Sequence, residues 1–101
     1  MDRTSIELKT YDIAERLETP EDIRLYLEAA FEDGDSLLIK HAIADVARAR
    51  GMTDIASQAG ISRAGLYRAL SDEGNPTLDT LSAVLEAFGM RLSVAAIPEP
   101  V

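Results

Sequence analysis

"MTDIASQAGISRAGLYRAL", residues 52–70, places an alanine, a glycine and a leucine at informative intervals. Two short helices that cross steeply need a small side chain where they approach, and Ala56 supplies it. The turn between them needs a residue that tolerates positive φ, and Gly60 stands four positions later. The second helix must send an apolar side chain back to the core, and Leu66 is suitably spaced. Ile55, Ala59, Ile61, Ala69 and Leu70 complete the inner face. Ser62 is placed to cap the second helix. The pattern predicts a helix-turn-helix, although any αα-corner has use for the same three residues.

That reading leaves Arg63, Ala64, Tyr67 and Arg68 on the outer face of the second helix. These are the residue types that meet a DNA major groove from a helix N-terminal end. Arg63 suits bidentate pairing with guanine, and Ala64 allows close approach and contact with a thymine methyl. Tyr67 suits a phosphate or a base, and Arg68 a phosphate. Thr53, at the start of the first helix, lies beside free backbone N–H groups suited to a further phosphate. The candidate DNA-binding set is therefore Thr53, Ser62, Arg63, Ala64, Tyr67 and Arg68, with double-stranded DNA as the partner. Gly65, inside the second helix, costs about 1 kcal/mol against alanine. It permits a close approach there.

Outward from this stretch, turn and cap residues divide the chain. Tyr11–Leu17 reads as a short helical segment, with Ile13 and Leu17 on one face. "TPEDIRLYLEAAFEDG" starts a strong helix: Thr19 caps, Pro20 takes the first position, and Glu21 and Asp22 follow. Its apolar stripe is Ile23, Leu27, Ala30 and Phe31, with Tyr26 beside it and Gly34 as the stop. "DSLLIKHAIADVARARG" is the next helix, capped by Asp35 or Ser36, burying Leu38, Ala42, Ile43, Val46 and Ala47 and ending at Gly51. "SDEGNPT" is a loop. Thr77 then caps a helix that turns Leu81, Val84, Leu85 and Phe88 inward, and Gly89 closes it.

"MRLSVAAI", residues 90–97, alternates Arg91 and Ser93 with Leu92 and Val94 and reads as a strand. One strand needs a ladder partner, which the same strand of a second copy would supply across a two-fold axis. The alternative is an irregular tail lying on the core. The expected fold class is all-α: one domain over residues 1–101, a helix-turn-helix bundle with an acidic N-terminal helical segment and this C-terminal strand.

Composition bounds the function. The 101 residues are 47% hydrophobic and 28% charged, a globular mixture, and carry a formal net charge of −8. Residues 1–33 hold four basic residues against ten acids, a balance of −6, whereas Arg48, Arg50, Arg63 and Arg68 face only Asp54 across residues 46–70, a balance of +3. Two regions therefore suit different partners. With no cysteine and one histidine, His41, neither a thiolate nor a histidine-rich metal site is available. His41 and Tyr26 read as surface and packing residues. There is no nucleophile–base pair and no phosphate-cradling glycine loop. The expectation is a non-enzyme without catalytic residues, cofactor or metal. No apolar run reaches membrane-span length and the polar, acidic N-terminus is not a signal peptide, which suggests a cytoplasmic protein.

Four blocks carry a family resemblance: "TPEDIRLYLEAAFEDGD", "ARARGMTDIA", "SRAGLYRALSDEGNPTLDTL" and the "GMRLSV" ending. From about Tyr11 to Val94 the chain resembles lambda repressor/Cro-like helix-turn-helix antitoxins, and more closely the HigA-like addiction-module antidote proteins. The resemblance implies a lambda repressor-like bundle. It also implies a homodimer that neutralises a small basic toxin of the RelE/ParE-like group and represses its own operon. Carried over by position, residues Ser62 to Arg68 would read the operator. Asp54 departs from the pattern, because related repressors often have glutamine after Thr53; its charge opposes a phosphate contact there. Such toxins are basic because their substrate is RNA, so acidic residues 1–33 form the candidate toxin-binding segment and residues 34–98 the DNA-binding core. Two other readings fit the residues: a stand-alone phage- or plasmid-type repressor, and a protein-binding adaptor that no longer meets DNA.

Overall fold

The computed structural model describes residues 16–99. These form five helices: α1 (Pro20–Asp33), α2 (Ser36–Arg50), α3 (Met52–Ala59), α4 (Arg63–Ala69) and α5 (Leu78–Ala87). No strand occurs among the described residues. Most of the expected helical segment Tyr11–Leu17 lies outside them, but Leu17 is described and buried in the core.

Local chemistry sets the helix boundaries. Thr19 and Asp22 form a reciprocal capping box, with Asp22 N–H donating to Thr19 Oγ1 at 3.1 Å and Thr19 N–H to Asp22 Oδ2 at 3.3 Å. Asp35, not Ser36, caps α2, accepting from Leu37 N–H at 3.0 Å. Thr77 caps α5. Gly51 ends α2 and starts α3 in a single residue, at φ 107°. On the α1 surface Arg24 bridges Glu21 and Glu28 at 2.7 Å each. Its hydrogen bond to Glu21 holds that carboxyl below the usual range.

One core joins the helices. Helix α1 packs on α2, α3 on α5, and both α2 and α4 on α3. Its largest fully buried side chains are Ile23, Ile43, Ile55, Leu66, Val46 and Val84. Val84, Leu85 and Phe88 are buried as expected, and Leu81 is half-buried. Two expectations fail. Phe31 and Leu38, assigned to buried stripes, are 37% and 43% exposed. They flank the Gly34–Asp35 turn where α1 and α2 meet, beside buried Ala30 and the half-buried Ile39.

The third correction is the C-terminal strand. Residues 90–99 have no regular structure; Leu92 rests partly buried against the core, while Val94 and Ile97 are 95% and 88% exposed. Alternation makes an extended chain favourable, but a ladder also needs a second strand, and the described residues offer none. The segment is irregular, as in the tail alternative, but within residues 91–99 only Leu92 rests on the core.

Tyr26 does more than pack. Its hydroxyl donates to Asp45 Oδ2 at 2.6 Å, and Arg48 Nη2 donates to Asp45 Oδ1 at 2.6 Å, tying α1 to α2. Burial first, then the Asp45 bond, raises the Tyr26 pKa well above its ordinary value of 10. The folded state therefore keeps the phenol protonated where the unfolded chain loses its proton. This contribution is complete below pH 10 and declines as pH rises beyond it. Tyr26→Phe is expected to cost about 1 kcal/mol at neutral pH. It should also flatten the alkaline fall in melting temperature; thermal melts from pH 8 to 11 test both. Equal alkaline slopes in the two proteins would count against the raised Tyr26 pKa, and equal stability at neutral pH against the bond.

Candidate nucleic-acid interface

Helices α3 and α4 are joined by three residues, Gly60, Ile61 and Ser62. Gly60 adopts φ 76°, ψ 28°, the left-handed conformation expected of it. Its N–H bonds Ser57 O at 3.1 Å and the next N–H, of Ile61, bonds Ala56 O at 3.0 Å, closing the end of α3. Ser62 is extended and its Oγ accepts from Gly65 N–H at 2.9 Å. A Cβ at Gly65 would lie 3.0 Å from that same oxygen, a tight contact, although Asp22 and Thr80 carry side chains at the same position under their own caps. Ala56 is buried where α3 meets its neighbours, and Leu66 is completely buried.

With Leu66 turned inward, the opposite side of α4 faces solvent. Arg63, Ala64, Tyr67 and Arg68 are all exposed, and so are Thr53 and Ser62. The guanidinium of Arg63 lies 5.6 Å from the centre of the Tyr67 ring, a cation–π arrangement that biases its direction. Arg68 lies beside Gly65, Glu73, Gly74 and Asn75 at the loop that follows α4. Thr53 shares the start of α3 with exposed Asp54, and no side chain caps that helix. All six candidate residues thus lie on the α3–turn–α4 unit, but Thr53 belongs to a different helix from the Arg63–Arg68 face.

The local charge is less positive than the linear count suggests. Arg48 is held by Asp45, and the edge of Tyr67 borders an open cleft of about 480 Å³ that includes His41, Asp45, Arg48 and Asp72. Sequence reasoning also missed what positions the loop after α4. Lys40 Nζ donates to Asp72 O at 2.9 Å and Gly74 O at 2.7 Å, and His41 Nε2 meets Asp72 Oδ1 at 2.7 Å. Those partners stand 31 to 34 residues apart, and no local pattern announces them. Among the described residues, no group of three or more His, Cys, Asp or Glu is arranged to hold a metal ion. No helix among them is long and apolar enough to cross a membrane.

Comparison with known proteins adds a family to this geometry. A family model described as "Probable addiction module antidote protein" matches residues 7–96. A protein of Haemophilus influenzae (strain ATCC 51907 / DSM 11121 / KW20 / Rd), described only as uncharacterized, is 47% identical over 88 residues, covering 87% of this chain and 91% of its own length. No solved structure matches. The model match spans the acidic helix α1, the α3–turn–α4 unit and the C-terminal tail together, and the chain belongs to the family of addiction-module antidote proteins.

Proposed function

We propose that this antidote neutralises a small basic toxin of the RelE/ParE-like group and, as a homodimer, represses its own operon by binding double-stranded operator DNA. It acts in the cytoplasm, as a non-enzyme without cofactor or metal. Helices α3 and α4 serve as a helix-turn-helix of the lambda repressor-like, HigA-like kind. Residues 1–33 serve the toxin and residues 34–98 the DNA, within one domain over residues 1–101. The observation that carries the DNA reading is the division of α4. Leu66 is fully buried, while Arg63, Ala64, Tyr67 and Arg68 are left to solvent behind a Ser62 cap.

In this reading Arg63 reads a guanine from the Tyr67 ring, Ala64 admits the helix to the groove, and Arg68 and Thr53 address phosphates. A net charge of −8 works against a polyanion at long range, so the contacts depend on this face alone. The same charge favours the adaptor reading, which a mobility-shift titration on DNA upstream of the gene excludes or supports. Arg63→Ala is expected to lose about 1–3 kcal/mol of discrimination between operator and scrambled DNA. Arg68→Ala is expected to weaken both DNAs alike and to reduce the slope of log K against log salt by about 1. Equal affinity of wild type and Arg63→Ala for the operator would remove Arg63 from base readout.

A further inference from the structure

We propose that the toxin docks on the turn between α1 and α2, over the apolar side chains of Phe31, Leu37 and Leu38 with Glu32 and Asp33 at their edge. The proposal rests on the antidote reading and assigns it a surface that carries the toxin segment from residues 31–33 across the turn to Leu37 and Leu38, on helices other than the α3–α4 pair assigned to DNA. Three large apolar side chains, 37%, 39% and 43% exposed, fall within eight residues around the tight Gly34–Asp35 turn. Phe31 continues the stripe of Ile23, Leu27 and Ala30, and Leu38 that of Ala42 and Ile43, yet both stay partly exposed while the rest is buried. An apolar centre with a charged rim is the composition of a protein interface.

The charges select the occupant. Glu32 and Asp33 lie in the last turn of α1, which holds no basic residue. Carboxylates there oppose the helix dipole, unlike Glu21 and Asp22 in its first turn, although Asp33 Oδ2 accepts from Asp35 N–H at 3.4 Å across the turn. Among the described residues no lysine or arginine forms an ion pair with Glu32, Asp33 or Asp35. Lys40, a nearby cation in the sequence, is committed to the carbonyls of Asp72 and Gly74. A second copy would set like charges against each other. Residues 1–15 hold Arg3 and Lys9 against Asp2, Glu7, Asp12 and Glu15, and so match this rim poorly. A basic protein that inserts an apolar side chain suits both the centre and the rim.

The test measures binding of the full-length chain to the purified protein encoded by the adjacent reading frame. Phe31→Ser/Leu38→Ser and, separately, Glu32→Lys/Asp33→Lys are each expected to bind about ten- to a hundredfold more weakly than wild type, with operator affinity unchanged. Hydrogen exchange on the wild-type complex is expected to protect amides of residues 31–38. Wild-type affinity in both variants, without protection, would overturn the site while leaving the antidote reading intact. Failure of the wild-type chain to bind that protein would overturn both. A change of mass in the serine variant would assign the face to a second copy, and a large loss of its melting temperature would assign it to the chain's own residues; either overturns the proposal.

Discussion

Leu66→Ala is expected to lower stability by about 2–5 kcal/mol, the range for deleting a fully buried leucine side chain. Leu66 is completely excluded from solvent and is the one residue of α4 that is buried. Helix α4 has only seven residues, far too few to persist without tertiary support. Its Ser62 cap contributes about 1 kcal/mol and cannot replace that support. For a domain of this size each 1 kcal/mol corresponds to about 4–8 °C in melting temperature. The expected fall is therefore on the order of 10–30 °C, read by circular dichroism, with a matching loss in urea midpoint. Arg63→Ala and Arg68→Ala, on the exposed face of the same helix, should change stability by less than about 0.5 kcal/mol. A Leu66→Ala protein as stable as these two would mean that α4 is not anchored through its inner face.

Gly74→Ala is expected to cost about 1–3 kcal/mol or more, although no unusual backbone angle is involved. A Cβ on Gly74 would overlap the backbone carbonyls of Arg68 and Ala69 at the end of α4. Those atoms belong to the helix and cannot yield as a flexible side chain does. The loop must instead move outward, pulling the Asp72 and Gly74 carbonyls away from Lys40. Gly34, Gly60 and Gly89 are the opposite case: their φ is positive, but an added Cβ would meet nothing within 4 Å. Lys40→Met removes the two hydrogen bonds without the overlap and should cost about 1 kcal/mol. The two substitutions should not add, because Gly74→Ala already breaks what Lys40 holds. Urea denaturation of the two single variants and the double variant measures this. Full additivity would show that the loop stays on Lys40 after Gly74 is changed.

Helix boundaries and the α3–α4 turn were legible because their causes are local. Thr19, Asp35, Ser62 and Thr77 cap within three residues of themselves, and Gly34, Gly51 and Gly60 adopt the positive φ that other residues resist. The outward set of Arg63, Ala64, Tyr67 and Arg68 follows from helical periodicity once Leu66 is placed inward. The same periodicity misplaced Phe31 and Leu38. A stripe says which side of a helix faces the core but not how far along the helix the core extends. Alternation likewise made Leu92 and Val94 read as a strand, although a strand is a property of a pair.

The amino-acid sequence by itself placed α1 to α5 to within about a residue or two, leaving the cap of α2 open between Asp35 and Ser36, and determined which side of each turns inward and which side chains of α4 remain outside, since each depends on residues within one or two turns. Only the tertiary structure decided that Arg48 is neutralised by Asp45, that Tyr26 ties α1 to α2, that Lys40 and His41 hold the loop after α4, and that Phe31 and Leu38 stay partly exposed. These depend on how whole helices are placed against one another, a balance of packing across the chain that no local spacing encodes.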